Sequence, residues 1–165
     1  MPISGKQHVL VVYYSYTGGT QTMAESMANT LGADLAEIHP IKPYPSFKPW
    51  VYIWGGMQAV YRLCVPIHPL ELNPEAYRLV IVGTPVWGNN MAPPVRSWLA
   101  LQRLQDKQIA LFASSGGGDA SRAFKEMKSM LAGNVFLKEL TLSDADHNRM
   151  DAARLAREWA NRLLM

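Results

Sequence analysis

Apolar positions along this chain switch between two periods. Residues 9–14 form an unbroken apolar run with the β-branched content of a strand buried on both faces. From Thr20, the residues Met23, Ala24, Met27, Ala28 and Leu31 recur on one helical face, and Gly32 supplies a stop. The alternation continues with residues 35–38 as a second strand and 77–83 as a third. A helix follows, opened by Pro93 and Pro94 and carrying Val95, Trp98 and Leu99 inward. Residues 109–113 read as a fourth strand. The next helix is the strongest amphipath, with Ala120, Ala123, Phe124, Met127, Met130 and Leu131 on one side, Asp119 as N-cap and Gly133 as stop. Residues 135–142 are a fifth strand, and a last helix runs from about Asn148 to Leu164 with Leu155, Ala156, Trp159, Ala160 and Leu163 inward. Five strands alternating with helices predict an α/β protein, a parallel sheet covered by helices on both faces.

One connection breaks the rhythm. Residues 39–74, between the second and third strands, are about twice as long as one crossover helix with short loops requires. They hold seven of the eleven prolines and six of the sixteen Phe, Trp and Tyr residues. No Asp or Glu occurs from His39 to Leu70, whereas Lys42, Lys48 and Arg62 do. A helix is expected from about Trp54 to Cys64, stopped by proline on either side. The favoured expectation is a wrapped loop and helix capping one face of the sheet; the alternative is a substrate lid that tolerates anions.

Composition narrows the setting. At 165 residues, 48% hydrophobic and 18% charged, the chain reads as a single globular domain without repeat, low-complexity segment or linker. Its one cysteine, Cys64, excludes an internal disulfide and is read as a small buried apolar group in a reducing compartment. With no apolar run of membrane-span length and no leader-like apolar region in residues 1–6, the expected location is cytoplasmic. A net charge of +3 without Lys/Arg clusters argues against nucleic acid. His8, His39, His68 and His147 lack metal-ligand spacing, and Ser114–Ser115 has no His or Asp that sequence can place beside it. Arg149, Arg154, Arg157 and Arg162 read as a solvated face of the last helix.

The turn between the first strand and first helix carries the chemistry. Ser15, Tyr16, Thr17, Gly18, Gly19 and Thr20 combine hydroxyls with two glycines that let backbone approach a ligand, at the start of a helix whose N–H groups point into the gap. That is an anion site. A nucleoside triphosphate loop needs a lysine before its final Ser/Thr, and none lies between Lys6 and Lys42. The dinucleotide fingerprint needs G-x-G-x-x-G, which Gly18–Gly19 does not fit. A monophosphate held by neutral donors remains.

This stretch, Ser-x-Thr-Gly-x-Thr directly after the first strand, resembles the phosphate loop of the flavodoxin family, which holds the 5′-phosphate of FMN. Two later loops extend the resemblance over most of the chain: Thr84, Pro85, Val86, Trp87, Gly88, Asn89 and Asn90 after the third strand, and Ser114, Ser115, Gly116, Gly117, Gly118 and Asp119 after the fourth. The resemblance implies a three-layer sandwich with strand order 2-1-3-4-5 and non-covalent FMN as cofactor. It also implies that Trp87 stacks on the flavin ring, that the Gly88 peptide turns toward flavin N5, and that Ser114 to Gly118 offer donors to the pyrimidine edge. A flat apolar ring wants an aromatic face, and a peptide that must turn wants no Cβ.

Departures from the family bear on the role. Flavodoxin electron carriers are usually acidic, and this chain is basic, with Asn89–Asn90 where many carriers have acids. Gly116, Gly117 and Gly118 replace the aromatic that would cover the second face of the ring. Less negative charge would make the reduced flavin easier to reach, and an uncovered face would leave room for a second molecule. Three readings stay open: an electron carrier between protein partners, an FMN-dependent reductase taking electrons from NAD(P)H to a quinone or similar small acceptor, and a flavin-free binding module. None requires a protein acid or base.

Overall fold

The computed structural model describes residues 8–143 and 145–165; the leader-free reading of residues 1–6 lies outside them. Five strands form one parallel sheet: β1 (Val9–Tyr13), β2 (Asp34–Glu37), β3 (Leu79–Trp87), β5 (Gln108–Ser115) and β6 (Val135–Ser143), ordered β2-β1-β3-β5-β6. A two-residue strand, β4 (Asn90–Met91), folds back antiparallel on the end of β3. With β4 set aside the order is the expected 2-1-3-4-5. Every residue of β1, an interior strand flanked by β2 and β3, is buried, which accounts for its unbroken apolar run.

Side-chain alternation along the strands divides the core in two. Val9, Val11 and Tyr13 face α1 (Gly19–Leu31) and α5 (Arg149–Leu163), with Met23, Met27, Ala156 and Trp159. Leu10 and Val12 face the other way, toward α2 (Lys48–Val60), α3 (Pro93–Ala100) and α4 (Ser121–Met130), with Val51, Trp98, Phe124 and Met127. Arg96, buried on α3, ties this second layer together: it reaches the Glu126 carboxylate on α4 at 3.6 Å, and Glu126 also pairs with Arg62 beyond α2 at 2.7 Å.

Several expectations are corrected. Residues 84–87, expected as loop, continue β3, and Pro85 pairs in register with Ser114. The pairing of β1 with β3 stops at Tyr13 and Gly83, so beyond that point β3 has an open edge, where a residue without an N–H is tolerated. Gly88 and Asn89, at φ 53° and 62°, make the two-residue turn to β4, the left-handed pair that such hairpins demand. The helix in the long connection begins at Lys48 rather than Trp54, because Pro49 falls in its first turn, where proline opens a helix instead of stopping it. Helix α4 has Ala120, not Asp119, at its N-cap position; Asp119 accepts the Ser121 N–H at 2.9 Å from one residue further out, and that bond holds its carboxyl below the usual range. Cys64 is exposed, not buried as expected, in the irregular stretch that follows α2. Among the described residues no helix is long and apolar enough to cross a membrane.

Candidate functional site

Ligands of an open parallel sheet collect outside the carboxyl ends of its strands. A cleft of about 260 Å³ lies there, and the predicted residues Tyr16, Thr17, Pro85, Val86, Trp87, Ser114, Ser115 and Gly116 line it. The other predicted residues stand behind this wall. Ser15 accepts the Gly18 N–H at 3.1 Å, closing the turn before α1. Gly18 sits at φ 106°, a left-handed conformation that a side chain resists. Thr20 is buried, and its hydroxyl meets that of Ser114 at 2.7 Å, joining the first predicted loop to the third. Thr84 donates to the Pro85 carbonyl at 2.8 Å and accepts the Ala92 N–H at 3.0 Å, so it fixes the β3–β4 hairpin. Gly88 packs against Gly56 and Val60 of α2. Asn89 is in the hairpin turn, Gly118 turns at φ 77°, and Gly117 faces open space.

Sequence reasoning missed the contribution of the chain's far end. Asp146, in the loop after β6, places its carboxylate in the turn before α1: the Gly19 N–H donates to one oxygen at 2.6 Å and the Thr17 hydroxyl to the other at 2.5 Å. Arg149 is not merely a solvated residue, since its guanidinium donates to the Thr17 carbonyl at 2.7 Å and packs over Gly18. Asp146 and His147 also line the cleft. The rule that every strand's carboxyl end faces the site would have nominated this fourth loop. Nothing in its residues marks which side chain turns inward. An amide and a hydroxyl at the start of the helix thus hold the Asp146 carboxylate in this turn.

The other end of the cleft is aromatic. Trp87 is 9% exposed and meets Tyr14, Tyr16 and Tyr44 edge to face, with centroids at 5.8, 6.0 and 5.0 Å. Gly55 of α2 lies against its ring so closely that a Cβ there would come within 2.8 Å. Val51 and Tyr52 of the same helix complete the wall, so the long connection contributes directly to the cleft. Burial pushes the Tyr44 phenol up to about 12 and raises Tyr14 further, and burial followed by Tyr52 raises Tyr16. These hydroxyls stay neutral; Tyr44 donates to Gln58 at 2.8 Å and Tyr16 to the Pro45 carbonyl at 2.7 Å.

No protein-family model matches this chain, and no curated protein matches its sequence. Solved structures do resemble it. A Bacteroides uniformis chain, provisionally assigned as a flavoprotein, superposes at a TM-score of 0.74 with 21% identity over 93% of this chain and 97% of that one. A Lactobacillus acidophilus flavoprotein in complex with FMN superposes at 0.71 with 20% identity over 90% and 99%. Oxidised flavodoxin 2 from Bacillus cereus superposes at 0.61 with 17% identity over 95% and 97%. The chain therefore has the flavodoxin fold, with the five-stranded sheet and the carboxyl-end cleft described above.

Proposed function

We propose that this chain is a redox protein that binds FMN non-covalently. The observation that carries the reading is the anion cradle at the start of α1, where Gly19 and Thr17 already converge on a carboxylate. A phosphate monoester suits the same donors, because it offers more oxygens to the amides and hydroxyls and more charge to the helix end. The Lactobacillus acidophilus protein of the same fold carries FMN, which supports the choice of ligand.

When bound, FMN supplies reversible one- and two-electron chemistry. The protein's task is to hold and orient it. Ser15, Thr17, Gly18, Gly19 and Thr20 would hold the phosphate in the place that the Asp146 carboxylate takes here. Tyr16, Pro85, Val86 and Trp87 would flank the ring, supported by Thr84, Gly88 and Asn89, and Ser114 to Gly118 would take its polar edge. Val51 and Tyr52 keep water from the aromatic end. Its neutral phenols add no charge against a reduced ring.

A fluorescence titration tests this reading. FMN is expected to bind one per chain with its emission quenched, and riboflavin, which lacks the phosphate, about tenfold or more weaker. A folded protein that binds neither removes the redox reading and leaves a flavin-free binding module. One observation favours a reductase over a carrier between proteins: Gly116 and Gly117 border open space, which leaves room for a second molecule beside the ring. Steady NADPH oxidation by the FMN-loaded protein with a quinone would support that variant, and its absence across several acceptors would favour the carrier.

A further inference from the structure

We infer that the outward face of α2 docks on an anionic lipid surface. Between Lys48 and Arg62 the chain carries no charged residue. A helix apolar on every side belongs in a core or a membrane. Among the described side chains of α2 only Val51, Gly55 and Ala59, a narrow stripe, are fully buried. Trp50, Tyr52, Trp54 and Tyr61 are 59%, 68%, 59% and 69% exposed, and Ile53, Met57 and Val60 are exposed between them. At ~150–250 Å² per aromatic side chain, those four rings alone put on the order of 500 Å² in water. With the three aliphatic side chains added, the patch exceeds what an ordinary monomer leaves uncovered.

Charge and hydrogen bonding together select the occupant. Lys42 and Arg62 accompany the patch, no acidic residue occurs from His39 to Leu70, and Glu126 of α4 takes up one of the two charges through Arg62. A second copy laid on this face would set one basic rim against another. An anionic bilayer supplies the missing sign. Protein partners also exchange about one hydrogen bond per 100–200 Å². The described exposed positions of α2 offer only indole N–H and phenol O–H groups, which are the tips that lodge at headgroup level while the rings enter the acyl boundary. Beside the helix a groove of about 290 Å³ lined by Lys42, Tyr44, Pro45, Trp54 and Pro66 sets a cation at the edge of an apolar wall. Tyr52 belongs both to this face and to the cleft, so docking brings the mouth of the cleft to the headgroups.

The full chain is tested by co-sedimentation with vesicles of phosphatidylcholine alone and of equimolar phosphatidylcholine and phosphatidylglycerol. Binding to the anionic vesicles, with a blue shift of tryptophan emission and weakening by salt, is the expected result. Trp50→Ser combined with Trp54→Ser should lower partitioning by about tenfold or more, and Lys42→Glu by roughly tenfold on anionic vesicles alone. Both variants should keep the wild-type circular dichroism and flavin titration, because the replaced side chains lie outside the cleft wall. Three results would overturn the inference: no binding to either vesicle, equal binding to both, or a dimer in sedimentation velocity that the double tryptophan variant dissociates. The last would assign the face to a second copy.

Discussion

Helices α1 and α2 are each thirteen residues long, and both pack on the sheet, one on either side. Helix α1 sends Met23 and Met27 fully inward and turns Gln21, Glu25 and Asn29 outward. Two buried methionines are worth roughly 1.5–3 kcal/mol each, enough to hold such a helix in place. Helix α2 does the reverse. It buries one valine with a glycine and an alanine and leaves its tryptophans and tyrosines outside. The small stripe lets the α2 backbone come down onto Trp87, which closes the aromatic end of the cleft. Helix α1 thus owes its place to its own side chains and presents an anion cradle, whereas α2 is held close by what it lacks and presents an apolar surface.

The largest effect that would sharpen this contrast is expected inside α1. Met27→Ala should cost ~2–5 kcal/mol in urea unfolding, while Trp54→Ala on α2 should stay within about 0.5 kcal/mol. Equal losses would break the comparison. On α2, Gly55→Ala drives a methyl into the Trp87 ring and should cost ~1–3 kcal/mol with a change in tryptophan emission. Its neighbour Gly56→Ala meets nothing within 4 Å and should instead stabilise the helix by ~0.5–1 kcal/mol.

At the cradle, Asp146→Asn removes the competing negative charge. Calorimetry should show FMN binding roughly fivefold tighter, about 1 kcal/mol, because the exposed carboxylate is only a modest competitor. Unchanged or weaker binding would mean that Asp146 supports the ligand rather than standing in for it. The smallest effect is alkaline. Burial raises Tyr44 to about 12 from an ordinary phenol near 10. Its contribution is therefore whole below pH 10 and is lost as pH rises from 10 through 12. Emission followed across that range should show the Trp87 environment opening, and Tyr44→Phe should reduce the change.

Much of the architecture was legible because period and punctuation are local. The buried run of β1, the inward faces of α1, α4 and α5, and the glycine-hydroxyl turn at residues 15–20 each declare themselves within a few neighbours. Proline misled twice for one reason: its effect depends on whether the lost N–H would have had a partner. At Pro49 it falls in a helix's first turn, and at Pro85 on an open strand edge, so neither breaks the element.

By itself the sequence determined the alternation of strands and helices, the position of a glycine- and hydroxyl-rich turn before the first helix, and an acid-free aromatic segment between the second and third strands. Tertiary structure alone decided that Asp146 and Arg149 return to that turn from about 130 residues away. It also decided that Trp87 is enclosed by three tyrosines, and that α2 faces outward with its large side chains. The physical reason is common to all three. A residue's period fixes which way it points from its own element, but what it meets there depends on which distant element packs against it.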